Sequence, residues 1–120
     1  MALAREGRVG VDLELQEPSL DLEQTSGLLL PRERAWVGGL PESHRWLAIL
    51  RCWTAKEALL KAIGQGFAFG LDQVELAPVD GAEVRLVRLC GSEDLARGWK
   101  IEFHERTVEG RIYLAALAVG

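Results

Sequence analysis

Hydrophobic and polar residues alternate along segment 8–15, RVGVDLEL, as is typical of a β-strand with two different faces. Four segments in the second half of the chain are also rich in strand-forming residues: DQVEL, EVRLVRL, WKIEFHER and RIYLAALAV. The last two flank the sequence TVEG and predict a β-hairpin. RIYLAALAV is apolar on both faces, so we expect it to lie centrally in the sheet or beneath a helix.

Between these strands, apolar residues recur at helical spacing. The segment LLLPRERAW predicts a short helix that begins near Pro31, and the two glycines of VGGLPESHRW end it. Pro41 suits the first turn of a longer helix that runs to about Ile63. Gly64 and Gly66 follow, and glycine readily adopts the left-handed conformation at which many helices end.

The order of strand, helices and strands predicts an α+β fold, with helices packed on one face of a mainly antiparallel sheet. The chain has 120 residues, of which 48% are hydrophobic, so we expect a single domain over residues 1–120. No apolar run approaches the roughly 20 residues of a membrane-spanning helix. Charged residues stand where a signal peptide needs apolar ones, and we therefore expect a cytoplasmic protein without a membrane partner.

The charge of the chain is unevenly distributed. The net charge is −4, which argues against nonspecific nucleic-acid binding, yet residues 32–61 carry six basic and three acidic side chains. That segment is a candidate docking face for an anionic ligand or partner, although an ordinary solvated helix surface looks the same. The chain has only two cysteines, Cys52 and Cys90, and two histidines, His44 and His104. These residues give little basis for a disulfide framework, a metal cluster or a Cys–His catalytic pair.

Four charged residues on the first strand and the long helix are candidates for chemistry. Asp12 and Glu14 lie two residues apart on a strand, so both carboxylates point to one face, where they are either solvated or neutralised by a cation. Glu57 and Lys61 lie four residues apart on a helix, as an ordinary stabilising pair would. Combined with the glycine turn, the three carboxylates and the lysine predict a site for Mg²⁺ and a diphosphate, because Mg²⁺ prefers carboxylate and phosphate oxygens.

The sequences GVDLE (10–14) and WTAKEALLKAIGQG (53–66) resemble the paired signature of the 4′-phosphopantetheinyl transferases. The family pattern is roughly G-[VI]-D-[VIL]-E on a strand, followed by W-x-x-K-E-A-x-x-K-x-x-G-x-G on a helix. Both motifs are present without a gap, and the likeness covers most of residues 8–76. It implies the family's fold and its reaction, in which the 4′-phosphopantetheine arm of coenzyme A moves to a serine of an apo carrier protein and adenosine 3′,5′-bisphosphate is released.

The resemblance also implies roles for the residues at matching positions. Glu57, or a water that it orients, would help to deprotonate the serine, Lys61 would contact a phosphate of coenzyme A, and Lys56 would support the site or the ligand. The expected set comprises the catalytic residues Glu57 and Lys61, the Mg²⁺ ligands Asp12, Glu14 and Glu57, and the coenzyme A-binding residues Lys56, Lys61, Gly64 and Gly66.

The likeness is to half of one type of family member. Enzymes of the surfactin-synthetase-activating type hold two similar modules, and the motifs here match the second. The nine residues before Gly10 contain no stretch like the Ser-His-Ser type sequence of the first module. The short holo-acyl-carrier-protein synthases have about this length and act as homotrimers with sites between subunits. We therefore expect a homo-oligomer in which a second copy replaces the missing module, although a separate partner chain or a truncation is also open.

Two other interpretations remain open at this point. One is a coenzyme A- and Mg²⁺-binding subunit of the same fold that lacks turnover or depends on a partner. The other is an unrelated α+β domain in which the three acids are solvated. The sequence does not identify the carrier protein, and fatty-acid, polyketide, peptide and lysine-pathway carriers are all open.

Overall fold

The backbone follows the predicted order of strand, helices and strands. A computed structural model describes residues 8–16, 27–64, 70–78 and 83–120. Its elements are β1 (Val9–Leu15), α1 (Pro31–Gly38), α2 (Glu42–Ile63), β2 (Val74–Pro78), β3 (Val84–Leu89), α3 (Glu93–Ala96), β4 (Lys100–Val108) and β5 (Arg111–Val119). The predicted α+β class is confirmed. Sequence analysis did not predict α3 or the 3₁₀ turn at Leu71–Gln73, and this turn makes β2 begin later than expected.

The strands form two antiparallel sheets. β5 lies between β1 and β4 in a three-stranded sheet, as its two apolar faces predicted, and β2 pairs with β3 in a separate two-stranded sheet. The β4–β5 hairpin turns at Glu109 and Gly110, both of which have positive φ angles. Helix α2 packs against β1 and β5, whereas α1 packs against α2 and β2. The core therefore lies between α2 and the three-stranded sheet, and it continues beneath the smaller sheet.

Gly10 sets how closely α2 approaches β1. A Cβ atom added to Gly10 would overlap the carbonyl oxygen of Ala58 and the amide nitrogen of Ala62. These contacts are with backbone atoms, which cannot turn aside as a long side chain can. Glycine at this position therefore lets the strand and the helix lie in direct backbone contact, two residues before Asp12.

Helix α2 ends where the glycines predicted. Gly64 has a φ of +77° and its N–H donates to the carbonyl oxygen of Leu60, so it caps the helix in the left-handed conformation. Gly66 lies outside the described residues. None of the helices in the described ranges is both long and apolar enough to cross a membrane.

Candidate active site

Strand β1 turns its acidic side toward α2. Asp12 and Glu14 face the helix, and Asp12 is only 5% exposed. The apolar residues between and beside them point away from the helix, and Val11 and Leu13 are 53% and 57% exposed. Asp12 is therefore not a solvated edge acid, which counts against the interpretation of the chain as an unrelated domain with three surface acids.

Lys61 lies among the candidate carboxylates. Its Nζ donates a hydrogen bond to Oδ1 of Asp12 over 2.7 Å, while its side chain stays 54% exposed. The hydrogen bond to Asp12 raises the pKa of Lys61, and the negative charges of Asp12, Glu57 and Glu14 raise it further, against a smaller effect of burial. Lys61 is thus a permanently charged amine that interacts electrostatically with all three predicted metal ligands.

The second carboxylate oxygen of Asp12 is not compensated. Within the described part of the chain, Oδ2 is buried and has no hydrogen-bond partner. A buried carboxylate oxygen without a partner costs free energy on the order of 1–3 kcal/mol, and more when it is charged. A cation bound next to Oδ2 of Asp12 would therefore offset this cost.

Glu14 lies beside Asp12 and is held by a tryptophan. The indole Nε1–H of Trp53 donates to Oε2 of Glu14 over 3.0 Å. Burial raises the pKa of Glu14, and the adjacent carboxyl group of Asp12 adds to that rise, whereas the hydrogen bond from Trp53 and the charge of Lys61 lower the pKa. Two carboxyl groups in contact disfavour each other's ionised form, and a shared cation relieves this repulsion.

Glu57, the third predicted ligand, lies on α2 and not on β1. It is half-buried on α2, one helical turn before Lys61, and its charge acts on that lysine. Across the described ranges, no three His, Cys, Asp or Glu side chains lie close enough together to hold one metal ion. The structure thus brings Asp12 and Glu14 together, whereas Glu57 is linked to them only through its charge, which acts on Lys61.

The Asp12–Glu14 pair fits Mg²⁺ in its chemistry. Both ligands supply hard carboxylate oxygens, one of which is buried without a partner, and their mutual repulsion falls when a cation binds. These residues are therefore candidate metal ligands on structural grounds as well as by sequence pattern.

Lys56 occupies a different environment from Lys61. Its Nζ is fully buried and donates to three acceptors: the carbonyl oxygen of Leu28 at 2.8 Å, Oε1 of Glu33 at 2.7 Å and the carbonyl oxygen of Leu71 at 3.3 Å. An ammonium group has three N–H donors, so none is left for a ligand. A direct contact between Lys56 and coenzyme A, as the resemblance implied, would require this buried pair to break.

Glu33, which sequence analysis did not single out, completes this buried pair. Its carboxylate also accepts from the backbone N–H groups of Leu30 at 2.8 Å and Leu76 at 2.7 Å. The pair therefore joins α1, α2 and β2 directly beside Glu57. Nothing in the sequence distinguishes Glu33 from an ordinary acid in the first turn of a helix, where acids are common.

The exit of α2 is open on one side. A Cβ added at Gly64 would meet nothing within 4 Å, and the guanidinium of Arg8 donates to the last helical carbonyl, that of Ile63, over 3.0 Å. Gly64 thus combines a left-handed backbone with free space beside it. Such a place suits the close approach of a ligand, which the role predicted for Gly64 requires.

Comparison with known proteins identifies the family. The model of the 4′-phosphopantetheinyl transferase superfamily matches residues 8–117. The chain belongs to this superfamily. The transferase HetI of Nostoc sp. is 38% identical over 81 residues, which is 65% of this chain and 34% of that protein. A Synechocystis relative is 37% identical over 75 residues, so the chain spans about a third of the length of the curated relatives it matches.

Solved structures of holo-acyl-carrier-protein synthases share the fold. The Bacillus anthracis enzyme, solved in complex with CoA (3′,5′-ADP), superimposes with a TM-score of 0.59 at 18% identity and covers 93% of each chain. The Chronobacterium ammoniagenes ACPS–CoA complex gives a TM-score of 0.59 at 21% identity over 96% of each chain. This superfamily member therefore has the α+β fold expected from the resemblance.

Proposed function

We propose that the chain catalyses Mg²⁺-dependent transfer of 4′-phosphopantetheine from coenzyme A to a serine of an apo carrier protein. The second product would be adenosine 3′,5′-bisphosphate. Family membership and the likeness to HetI support this reaction, and coenzyme A is the ligand named for two structural neighbours. The single observation that carries the proposal is the buried carboxylate of Asp12, which is paired with Lys61 through one oxygen and uncompensated at the other.

The chemical step replaces the phosphoanhydride bond of the coenzyme A diphosphate with a phosphate ester bond to the serine. The serine oxygen attacks the phosphorus nearest to the pantetheine, the bond from this phosphorus to the bridging oxygen breaks, and the bisphosphate leaves with the bridging oxygen. Glu57, half-buried beside Lys61, would accept the serine proton, directly or through a water. Phosphoryl-type transfer depends mainly on positioning and charge neutralisation, which a lysine and a cation supply.

The side chains divide these tasks according to their exposure. Asp12, Glu14 and Glu57 would hold Mg²⁺, which when bound neutralises the diphosphate oxygens. Lys61 keeps half its side chain in solvent on a flexible stem, so it can reach an incoming phosphate as well as Asp12. Trp53 holds Glu14 in place through its indole N–H. Gly64, which has no side chain, would allow coenzyme A to pass close to the C-terminal end of α2.

The proposal is tested by mixing the purified chain with coenzyme A, Mg²⁺ and apo carrier proteins, and by measuring the mass gain of the carrier. Glu57→Gln should abolish transfer and leave the fold intact, and Lys61→Ala should weaken coenzyme A binding more than folding. Glu42→Gln, in the exposed first turn of the same helix, is the matched control. Loss of fold in Glu57→Gln, or full activity in that variant, contradicts the assigned role.

A second candidate is a coenzyme A- and Mg²⁺-binding subunit without turnover. One observation favours it: no three metal-ligating side chains converge within the described ranges. Calorimetry separates the two candidates. Mg²⁺-dependent binding of coenzyme A without holo carrier protein would support the binding subunit, whereas product formation would exclude it.

We also propose that the chain acts as a homo-oligomer in which a second copy contributes to the coenzyme A site. Residues 32–61 offer a basic surface that suits an acidic carrier protein. Arg32, Arg45 and Arg51 are at least partly exposed within that segment, whereas Lys56 is not. A carrier titration at increasing ionic strength tests this surface, since docking by exposed charges weakens as salt rises.

A further inference from the structure

Lys61 supplies a positive charge to the carboxylate that a metal ion would also need. Its ammonium group donates to Oδ1 of Asp12 over 2.7 Å, and the side chain of Asp12 is buried. Glu14 follows two residues later on the same side of β1. A cation bound at the Asp12–Glu14 pair would therefore share Asp12 with a lysine of the chain itself.

One ammonium group offsets only part of the negative charge around it. The carboxylates of Asp12, Glu14 and Glu57 all act on the charge of Lys61, so a single amine is matched with three acids. Within the described part of the chain, Oδ2 of Asp12 is buried without a partner. The site therefore attracts a second cation, but that cation has to bind beside an ammonium group that repels it.

We infer that Lys61 is an internal counter-ion that keeps the affinity for Mg²⁺ low until coenzyme A binds. The inference rests on the proposed function, because it concerns the regulation of the same site. Without coenzyme A, Lys61 stays on Asp12 and opposes binding of the ion. The negative diphosphate of coenzyme A draws the ammonium group away, and Asp12 loses its competing cation.

Lys61 can make this exchange because little holds it in place. Its side chain is 54% exposed, and its flexible stem allows the amine to turn from one acceptor to another. Among the described residues it makes one hydrogen bond, to Asp12. An ammonium group has three N–H donors, so two remain for a phosphate. Lys56, whose three donors are all used in the core, has no such freedom.

The two carboxylates of β1 have supports other than Lys61. The backbone of β1 is packed against α2 at Gly10, two residues before Asp12. The indole N–H of Trp53 donates to Oε2 of Glu14 over 3.0 Å. Movement of Lys61 therefore changes the charge at the site without displacing the strand that carries the candidate metal ligands.

Coenzyme A and Mg²⁺ then assist each other's binding. Binding free energies are linked, so the factor by which coenzyme A raises the affinity for Mg²⁺ is also the factor by which Mg²⁺ raises the affinity for coenzyme A. Direct contact between the ion and the diphosphate contributes to the same factor. The contribution of Lys61 is therefore measured on the chain without coenzyme A, where that direct contact does not occur.

Calorimetric titration of the chain with Mg²⁺ alone tests the inference. If Lys61 only contacts coenzyme A, its replacement leaves the affinity for Mg²⁺ unchanged, whereas the removal of a competing cation raises it. Lys61→Met should bind Mg²⁺ at least tenfold more tightly than the wild type. Lys61→Arg keeps the positive charge and should stay within threefold of the wild type.

Lys100→Met is the matched control. Lys100 is 74% exposed and lies 3.2 Å from the carboxylate of Glu102, so the same change removes a lysine from another ion pair. This pair lies on β4, which β5 separates from β1. Lys100→Met should leave the affinity for Mg²⁺ within twofold of the wild type, and a gain equal to that of Lys61→Met would overturn the inference.

A second variant and a second measurement keep the test decisive. If Lys61→Met does not fold by circular dichroism, Lys61→Gln takes its place, because glutamine can still donate to Asp12 but carries no charge. Mg²⁺ should also raise the melting temperature of the uncharged variant more than that of the wild type. A folded, uncharged variant that binds Mg²⁺ no more tightly than the wild type overturns the inference.

Transfer to an apo carrier protein, measured on the wild type, separates this inference from the proposed function. Tighter Mg²⁺ binding by Lys61→Met, without holo carrier protein from the wild type, would support the counter-ion and count against the enzyme. Transfer by the wild type, with an unchanged Mg²⁺ affinity in Lys61→Met, would support the enzyme and overturn the counter-ion.

Discussion

Replacing each of the two lysines of α2 with methionine distinguishes a structural lysine from a functional one. Lys56 and its partner Glu33 have fully buried side chains. Removal of one partner from a buried ion pair typically costs about 3–5 kcal/mol, because the other charge is left uncompensated. In Lys56→Met the carboxylate of Glu33 keeps its two backbone donors, but the carbonyl oxygens of Leu28 and Leu71 lose their donor. We therefore expect a loss within that range.

The corresponding change in melting temperature follows from the size of the chain. Unfolding entropy is about 2.1 cal/mol/K per residue, so 120 residues give roughly 0.25 kcal/mol/K. A loss of about 3–5 kcal/mol then lowers the melting temperature by about 12–20 °C. Domains of this size are typically stable by about 5–15 kcal/mol, so the variant should still fold at low temperature.

Lys61→Met is the contrasting variant. Its amine is 54% exposed, which makes the pair with Asp12 weaker than a fully buried pair, but the Asp12 carboxylate itself is buried. The folded-state pKa of Lys61 is raised above 10.5, so whatever this pair contributes is fully present at neutral pH and is lost only as the pH rises through that higher value. Because Lys61→Met leaves the buried carboxylate of Asp12 without its cation, we expect a loss of stability that is smaller than that of Lys56→Met, together with weaker binding of coenzyme A.

Urea denaturation followed by the fluorescence of the four tryptophans measures both variants. The protomer concentration is held constant, because self-association would make the stability depend on it. The double variant Lys56→Met/Glu33→Leu should lose less than the sum of the single losses, since no lone charge remains. A loss below about 1 kcal/mol in Lys56→Met would refute the structural assignment of this lysine.

Three further predictions concern packing, thiol reactivity and the metal site. Gly10→Ala should destabilise the fold by about 1–3 kcal/mol through overpacking against α2, whereas Gly27→Ala, with free space around it, should not. Burial raises the pKa of Cys52 to about 12, so a thiol reagent at pH 8 should label the exposed Cys90 alone until urea unfolds the chain. The pKa of Glu14 in the folded state is raised above 4.5. Protonated Glu14 therefore stabilises the fold at low pH, and this contribution to the free energy of unfolding is lost as the pH rises through the raised pKa. Mg²⁺ should accordingly raise the melting temperature at pH 7 and lose this effect near pH 4, as calorimetry at the two pH values can show.

The long elements could be predicted because the sequence marks both their ends and their period. Pro41 and Gly64 bound α2, whose observed range of Glu42–Ile63 matches the prediction. The short helix α3 has only four residues, and neither periodicity nor composition reveals an element of that length. The start of β2 was placed early because a 3₁₀ turn occupies residues that also fit a strand.

The sequence predicts which site residues share a side of β1, but it does not predict which side α2 covers. Alternation places Asp12 and Glu14 on one side of β1, but it does not say which side the helix covers. Burial of valine and leucine would ordinarily decide that question in favour of the apolar side. Here Gly10 lets α2 lie against the acidic side instead, and this contact depends on residues about fifty positions apart. The Lys56–Glu33 pair is hidden for the same reason, since both residues resemble surface charges until α1 and α2 are packed.

The two lysine–acid pairs of α2 show why only one of them is a candidate for chemistry. Between Lys56 and Glu33, three ammonium donors meet three acceptors and both carboxylate oxygens are bonded, so the pair is saturated and its disruption would only destabilise the fold. Between Lys61 and Asp12, the amine is half in solvent and one buried carboxylate oxygen has no partner within the described part of the chain. That arrangement is a poor way to stabilise a protein, because burial of Asp12 is only partly offset by an exposed amine. Oδ2 of Asp12 is thus free to bind a cation, and the half-exposed amine of Lys61 is free to bind a phosphate.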